Sequence, residues 1–149
     1  MAGYLADLNG FLTELFNDIL KIEERTLCSG EDQGISVRDI HIIEAVHACK
    51  TPRERRTTAV AGRLGITTGT LTVAINSLEK KGYVERQEDP LDGRVVMLVL
   101  TEKALRAQKA HEKFHRELVE NIAGVLSSEE LAVLMRALRA VQSYLRSCQ

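Results

Sequence analysis

The sequence has little of several residue types, and each shortage narrows the kind of protein it can encode. It contains no tryptophan and only three tyrosines and three phenylalanines, so leucine, isoleucine, valine and alanine must build the core. Two prolines in 149 residues favour a mainly helical chain, because proline interrupts helices. The longest purely apolar run, VVMLVL at 95–100, is far shorter than the ~20 residues of a membrane-spanning helix.

Cysteine is scarce too, and its distribution excludes the common cysteine motifs. Cys28, Cys49 and Cys148 are far apart and odd in number, and none belongs to a C-x-x-C pair. They indicate reduced thiols rather than a disulfide framework. The segment MAGYLADLNG at 1–10 has neither a basic start nor an apolar stretch of signal-peptide length. We therefore expect a cytoplasmic protein, and nothing in the composition calls for a cofactor.

The formal net charge of −1 hides an uneven distribution of charged side chains. Residues 50–106 carry eleven basic against seven acidic side chains, whereas residues 1–49 carry three against nine. A basic middle segment in a nearly neutral protein favours a surface that meets an anion, with nucleic acid as a leading candidate. A solvated basic surface without a partner explains the charge alone equally well.

Apolar residues at alternating steps of three and four predict amphipathic helices on both sides of this segment. The predicted helices cover residues 5–22, about 36–49, about 101–126, and the stretch from residue 127 onward. Ser127 and Glu130 have the spacing of a capping box, in which two side chains satisfy the first amides of a helix. Ser36 with Asp39 is a weaker version of the same motif.

The middle of the chain predicts two short helices followed by a β-hairpin. TTAVAGRLG at 57–65 and TTGTLTVAINSLEKKG at 67–82 have helical periodicity and meet at a glycine turn, which allows a steep helix crossing. YVERQ at 83–87 and RVVMLVL at 94–100 have strand character. EDPLDG between them supplies the proline and glycine of a turn. This order is that of a winged helix-turn-helix.

We therefore predict one mainly α domain with a small β-hairpin wing. Residues 51–100 form the winged helix-turn-helix DNA-binding lobe, and residues 1–50 and 101–149 form a helical dimerisation region around it. The first and last helices carry more apolar surface than so small a chain can cover, which favours a homodimer because two-fold dimers are the commonest oligomers. A monomeric helical bundle is the alternative.

The second helix of the predicted pair presents a face suited to DNA. With Leu71, Ala74, Ile75 and Leu78 in the core, the opposite side carries threonines, a glycine and an asparagine. Threonine hydroxyls and helix N-terminal amides bind phosphate, methyl groups contact thymine, and asparagine pairs with adenine. We expect a palindromic operator that favours A·T pairs. The DNA-binding residues expected here are Thr57, Thr67, Thr68, Gly69, Thr70, Thr72, Val73, Asn76 and Lys80.

The stretch AVAGRLGITTGTLTVAINSLEKKGYVERQEDPLDGRVVMLVLTEKA at 59–104 resembles the MarR family of bacterial winged-helix transcription regulators. The most specific part of the resemblance is Asp92 and Arg94 followed by Leu100 and Thr101. In that family the wing arginine enters the minor groove and the aspartate holds it, which suits the narrow, negative groove of A·T-rich DNA. The resemblance therefore adds Asp92 and Arg94 to the DNA-binding residues and implies a regulator without catalytic residues.

Three further segments, FNDILKIEE at 16–24, FHRELVENI at 114–122 and SSEELAVLMRAL at 127–138, resemble the subgroup that represses fatty-acid synthesis genes. That subgroup uses long acyl chains on acyl carrier protein as corepressor, which implies such a partner here. The implied effector pocket comprises Leu12, Leu15, Phe16, Ile19, Ile40, Ile43, Phe114, His115 and Leu118. Apolar residues at helical spacing fill a core equally well.

Other regulatory and functional classes stay open. A regulator of another set of genes could respond to a small aromatic ligand, or to oxidation of Cys28 at the end of the first helix. No lysine, arginine or histidine adjoins Cys28 in sequence to lower the pKa of its thiol. A winged-helix adaptor that binds protein is a further alternative, although the expected face lacks large aromatic anchors.

HEKFH at 111–115 matches H-E-x-x-H, the core of a zinc peptidase site. A zinc hydrolase needs a third protein ligand, and the extended motif fails because residue 118 is leucine and residue 121 is asparagine. We therefore expect no metal. The two histidines extend an apolar stripe on their helix and are interpreted as polar groups at the edge of a cleft or interface, with Glu112 and Lys113 solvated.

Overall fold

A computed structural model of the chain describes residues 2–28, 34–89 and 92–148, except for the side chains of residues 2–5, 28 and 92–94. The helices are α1 (Ala2–Cys28), α2 (Val37–His47), α3 (Thr57–Leu64), α4 (Thr68–Lys80), α5 (Glu102–Gly124) and α6 (Ser128–Ser147), with a short 3-10 helix at Pro52–Arg55. The strands are β1 (Val84–Asp89) and β2 (Asp92–Leu100). The predicted class, mainly α with a β-hairpin, is confirmed.

The chain divides into two compact units, Met1–Glu112 and Lys113–Gln149. The first unit holds the helix pair and the hairpin, and the second holds the end of α5 and all of α6. None of the helices in the described ranges is both long enough and apolar enough to cross a bilayer.

Reciprocal capping boxes begin two of the helices, as the sequence predicted. The Ser36 hydroxyl accepts a hydrogen bond from the Asp39 amide at 3.1 Å, and the Asp39 carboxylate accepts one from the Ser36 amide at 3.2 Å. Ser127 and Glu130 repeat this arrangement before α6. The hydrogen bond from the Ser127 amide lowers the pKa of the Glu130 carboxyl. Each box satisfies amides that a helix start leaves without an intrahelical acceptor.

The two short helices meet at a glycine turn of the kind that the sequence predicted. Gly65 has φ +65°, a left-handed conformation that glycine adopts without a Cβ penalty. The Ile66 amide then donates to the Ala61 carbonyl at 3.1 Å, which closes the end of α3. The Thr67 hydroxyl caps the start of α4. The turn therefore ends one helix and begins the next within three residues.

The wing differs from its prediction at its tip and beside β2. β1 and β2 pair antiparallel, with an irregularity in register between Glu88 and Asp89. Asp89 already pairs with Asp92, so two residues lie between the strands where the sequence suggested a six-residue turn. An irregularity of this kind lets the strands bend and pair farther toward the tip. In addition, Arg56, before α3, forms an isolated bridge with Met97 of β2, which the sequence did not predict.

The core of the first unit holds the helix pair against α2 and the hairpin. Its side chains with no exposed surface include Ile40, Ile43, Val60, Leu71, Ile75, Leu78, Tyr83 and Leu98. Each such burial contributes about 1.5–3 kcal/mol relative to leaving the side chain in water. Ala61, at the helix crossing, is also buried. Because the predicted inward stripe of α4 lies in this core, the opposite stripe of α4 lies outside it.

In the second unit, α6 keeps its apolar residues at the surface. None of the described α6 residues is buried. The exposed large apolar side chains of α6 are Val133, Met135, Leu138, Val141, Tyr144 and Leu145. Among them, Leu138, Val141 and Leu145 follow the spacing of three and four that the sequence predicted for this helix.

Candidate nucleic-acid interface

α4 presents the predicted polar stripe to solvent. The exposed members of that stripe and of the α4 N-terminus are Thr67, Thr68, Gly69, Thr70, Thr72, Val73, Asn76 and Lys80, whereas Thr57, at the start of α3, is half-buried. Val73, with 72% of its surface accessible, lies near the centre of the stripe. An apolar side chain so exposed on a rigid helix leaves a methyl surface available to a partner.

Several threonines of α4 also have a structural role. The Thr67 hydroxyl accepts from the Thr70 amide at 3.1 Å and lies 2.8 Å from the Thr70 hydroxyl. The Thr72 hydroxyl donates to the Thr68 carbonyl at 2.8 Å. Helix capping and back-bonding thus give Thr67, Thr70 and Thr72 a role within the helix. Each hydroxyl still keeps a lone pair, and each methyl group remains on the exposed stripe.

Asn76 is held by a residue that sequence reasoning missed. Its Oδ1 atom accepts a hydrogen bond from Nη2 of Arg86 at 2.7 Å, and Nη1 of Arg86 binds the Glu79 carboxylate. Arg86 lies on β1, so it ties the wing to the exposed stripe of α4. A full adenine contact uses both the carbonyl and the amide of asparagine. Arg86 uses one of the two lone pairs of the Asn76 oxygen, so Asn76 keeps one lone pair and its amide N–H groups for a base.

The wing residues of the family signature, Asp92 and Arg94, have side chains outside the described residues, although their backbone belongs to β2. The end of β1 next to the turn is described as far as Asp89. There Nη2 of Arg56 lies 3.4 Å from Oδ2 of Asp89, whose side chain is almost fully buried. Arg56 is also the residue that precedes the first turn of α3. This ion pair connects the start of the helix pair with the far end of β1.

The C-terminal end of α4 is anchored by charged and polar contacts. Nζ of Lys81 lies 2.9 Å from the Asp39 carboxylate of α2. Lys103 donates to the Lys81 carbonyl at 3.0 Å and places its ammonium group 4.2 Å from the centre of the Tyr83 ring. The Thr101 hydroxyl donates to the Gly82 carbonyl at 2.8 Å. The exposed stripe of α4 is therefore carried by a braced helix, which suits a surface that must fit a rigid duplex.

The residues expected to line an effector pocket are distributed differently. Leu12 and Ile19 are half-buried and Leu15 and Phe16 are exposed on α1, while Ile40 and Ile43 are fully buried. Phe114, His115 and Leu118 are half-buried on α5 within the second unit. Ile40 and Ile43 belong to the packed core cluster, as the core-filling alternative expected.

A cavity of about 370 Å³ does lie in the first unit. It is bounded by Leu20 of α1, by α2 and by the turn between α3 and α4. Its lining is Leu20, Val37, Arg38, His41, Ile42, Leu64 and Ile66. Such an apolar opening with one cationic side chain resembles the general form of small-ligand sites. It shares none of its lining residues with the effector pocket drawn from the sequence.

HEKFH lies on α5, and the structure changes its interpretation. Glu112 and Lys113 are exposed, as expected. His111 is not at an edge, because it has no exposed surface. Its Nδ1 atom lies 2.7 Å from Oε1 of Glu44, and its Nε2 atom lies 3.6 Å from Oε1 of Glu23. The sequence could not predict either contact, because each glutamate reaches the histidine from a helix that is distant along the chain.

The described thiols give little support to a redox centre. Burial raises the pKa of the Cys49 thiol, which lies 3.2 Å from the carbonyl oxygens of Ala45 and Glu54. A raised pKa keeps a thiol protonated and unreactive. Cys148 is exposed near the end of the chain. The side chain of Cys28, the expected redox candidate, lies outside the described residues.

The helix pair, the hairpin and the exposed stripe of α4 define a winged helix-turn-helix regulator. Residues 33–95 match the MarR family. A solved structure is 34% identical over 97% of this chain and 99% of that chain, with a TM-score of 0.86. That structure is Streptococcus pneumoniae FabT in complex with DNA. The chain therefore belongs to the MarR family, whose relatives are transcription regulators and not enzymes.

Other relatives agree with this assignment. The uncharacterised HTH-type transcriptional regulator YwaE of Bacillus subtilis is 32% identical over 61% of this chain and 53% of its own length. The multiple antibiotic resistance protein MarR of Salmonella typhimurium is 27% identical over 90% of this chain and 79% of its own. The match thus spans about half the length of YwaE. The Staphylococcus aureus MepR–DNA complex, at 19% identity and a TM-score of 0.69, shares the fold.

Proposed function

We propose that this chain is a cytoplasmic, homodimeric repressor that binds a palindromic, A·T-favouring operator and controls fatty-acid synthesis genes. Its corepressor is a long acyl chain delivered on acyl carrier protein. The observation that carries the DNA-binding part is the exposed stripe of α4, from Thr68 to Lys80, on a helix anchored at both ends. FabT, the solved relative at 34% identity, is bound to DNA in its crystal structure.

The dimer is supported by apolar surface that the single chain leaves exposed. On α1 the exposed large apolar side chains include Leu8, Phe11, Leu15 and Phe16, and α6 adds six more. Exposed apolar side chains that repeat along a helix, as they do on each of these two, mark an interaction site. A second copy of the chain is the partner of choice because a two-fold operator matches a two-fold protein, with half-sites about 34–36 Å apart.

The lipid corepressor is supported by the three segments that resemble the fatty-acid repressor subgroup and by the apolar cavity of the first unit. The cavity lies against Leu64 and Ile66, which flank the glycine turn of the helix pair. A ligand there would contact the same segment that positions α4. Arg38 in its lining supplies a positive charge for the phosphate of a phosphopantetheine group. A small aromatic effector is the alternative that the same cavity accommodates.

The function is tested by titrating the full-length protein onto operator DNA selected from genomic fragments. We expect long-chain acyl-acyl carrier protein to raise operator affinity about tenfold, which corresponds to ~1.4 kcal/mol of coupling between the two ligands. Acyl carrier protein without an acyl chain is the control and should have no effect. If the bound genomic fragments lie away from lipid genes and acylated carrier protein changes nothing, the corepressor assignment is wrong, whereas specific DNA binding would remain.

Two substitutions distinguish the roles proposed for Asn76 and Arg94 in recognising DNA. Asn76→Ala should relax base preference at one position of each half-site, at a cost of about 1–3 kcal/mol for the preferred base. Arg94→Ala should weaken binding chiefly to operators with A·T pairs under the wing. Binding to a panel of operators with single base-pair changes measures both effects. A uniform loss over the whole panel in both variants would argue that neither residue reads sequence.

A further inference from the structure

Arg86, on β1, holds the side chain of Asn76 from outside α4. Nη2 of Arg86 lies 2.7 Å from Oδ1 of Asn76, and Nη1 of Arg86 binds the carboxylate of Glu79. Asn76 and Glu79 are three positions apart on α4, so they are neighbours on one side of that helix. One guanidinium group of the wing therefore bridges two side chains of the DNA-facing helix.

The hairpin fixes the position from which Arg86 makes these contacts. Arg86 pairs with Leu98 of β2, and Leu98 has no exposed surface because it belongs to the core of the first unit. A shift of one residue in this register would turn the Arg86 side chain to the other face of the hairpin. The side chain of Arg86 is 30% exposed, so it is partly shielded from water. A hydrogen bond that a charged donor makes there is stronger than one between neutral groups.

An arginine can hold an asparagine side chain in one orientation only. The guanidinium group has five N–H donors and no acceptor, so only the carbonyl oxygen of Asn76 can face it. Rotation of the Asn76 amide by 180° would turn its own N–H groups toward those of Arg86 and would break the hydrogen bond. Arg86 therefore determines which end of the Asn76 amide lies toward the wing and which end lies away from it.

The orientation of such an amide determines which base pair it can read. In the major groove, adenine presents N7 as an acceptor beside its N6 amino group as a donor. Exchanging an A·T pair for a T·A pair reverses the order of donor and acceptor along the groove. An asparagine amide that rotates freely can match either order, whereas an amide held in one orientation matches only one of them.

We propose that Arg86 is a positioning residue for DNA recognition, which makes Asn76 distinguish A·T from T·A at one position of each half-site. This inference rests on the proposed contact between the exposed stripe of α4 and DNA. The Glu79 carboxylate neutralises the guanidinium group, so Arg86 acts through the orientation of Asn76 and not as a phosphate contact. Arg86 itself needs no contact with a base.

The proposal is tested with the full-length protein on operators that carry each of the four base pairs at every position of a half-site. Asn76→Ala identifies the position that Asn76 reads, because base preference is lost there. At that position we expect the parent protein to prefer one of A·T and T·A by about tenfold or more, as a bidentate contact allows. Arg86→Gln should reduce this ratio to about twofold or less, because glutamine has both a donor and an acceptor and permits either orientation of the Asn76 amide.

Two further variants distinguish the orientation of Asn76 from the charge of Arg86. Arg86→Lys keeps a positive side chain that only donates, so the ratio should stay within about twofold of the parental value. Arg106→Gln removes the same charge from an exposed position of α5 and should leave the ratio unchanged. Arg86→Gln should also keep the parental dependence of affinity on salt, since loss of a phosphate contact would lower that slope by about 0.9 per half-site.

Each competing explanation predicts a different result. If Arg86→Gln keeps the parental ratio, or if Asn76→Ala changes the preference at no position, Arg86 does not orient a reading group and the proposal is wrong. It is also wrong if Arg86→Lys loses the ratio as Arg86→Gln does, because donor character would then not be the cause. A lower salt slope in Arg86→Gln would make Arg86 a phosphate contact instead. All of these results leave specific binding by the parent protein in place, whereas its absence would contradict the proposed function itself.

Discussion

Val73→Glu is expected to abolish specific DNA binding while leaving the fold intact. Val73 lies at the centre of the exposed stripe of α4 and has 72% of its surface accessible, so a larger polar side chain meets no packed neighbour there. A carboxylate on that stripe would face the negative charge of the duplex, and a like-charge contact of this kind costs several kcal/mol. A loss of ~3 kcal/mol at each half-site corresponds to more than about a hundredfold in affinity.

The experiment compares operator binding with thermal stability in the same buffer. Ala110→Glu introduces the same charge at an exposed position of α5 and serves as the control, with binding expected within a few-fold of the parent protein. Both variants should unfold at nearly the parental midpoint, because exposed helix substitutions rarely exceed ±0.5 kcal/mol. Retention of parental operator affinity by Val73→Glu would show that α4 does not enter the groove through this stripe.

Leu138→Glu is expected to convert the proposed dimer into monomers and to abolish operator binding. Leu138 is half-exposed in the middle of the apolar stripe of α6, and burying a charge without a partner in an apolar interface costs far more than one interface residue contributes. Sedimentation equilibrium should then give the mass of one 16.6 kDa chain. Operator affinity should fall by about a thousandfold or more, since two half-sites are no longer read as one linked unit.

Ser143→Glu is the matched control on α6. It adds the same charge on the polar side of that helix, where Arg136 and Arg139 also lie, and should preserve both the dimer and operator binding. A dimer that survives Leu138→Glu would place the interface on other apolar surface, with the exposed stripe of α1 as the next surface to test.

Local patterns predicted most of the fold because the physics behind them is local. The capping boxes at Ser36 and Ser127 depend on residues three positions apart, and the left-handed turn at Gly65 follows from the absence of a Cβ. The stripe of α4 was predicted correctly because helical periodicity fixes which side chains point inward. These features need no knowledge of what packs against the helix.

The features that the sequence did not predict depend on contacts between distant parts of the chain. Arg86 reaches Asn76 across the junction of β1 and α4, and Glu23 and Glu44 reach His111 from two other helices. No spacing rule relates such residues, so the sequence could not show that His111 would be enclosed by carboxylates. The turn of the wing was predicted too long for a related reason. The register irregularity at Glu88 and Asp89 arises from pairing between two strands, which the sequence of one strand does not determine.

α2 contacts both the buried histidine of α5 and the end of α4. Glu44, near its C-terminal end, contacts His111, and Asp39, in its first turn, holds Lys81 at the end of α4. Glu44 and Asp39 lie five positions apart, so one short helix joins the contact with the buried histidine to the contact with α4. We expect a ligand that prefers one position of α2 to change operator affinity through these contacts, and the operator would then change the affinity of that ligand by the same factor. Asp39→Asn should therefore weaken the coupling between ligand and operator without removing the cavity beside α2 or the exposed stripe of α4.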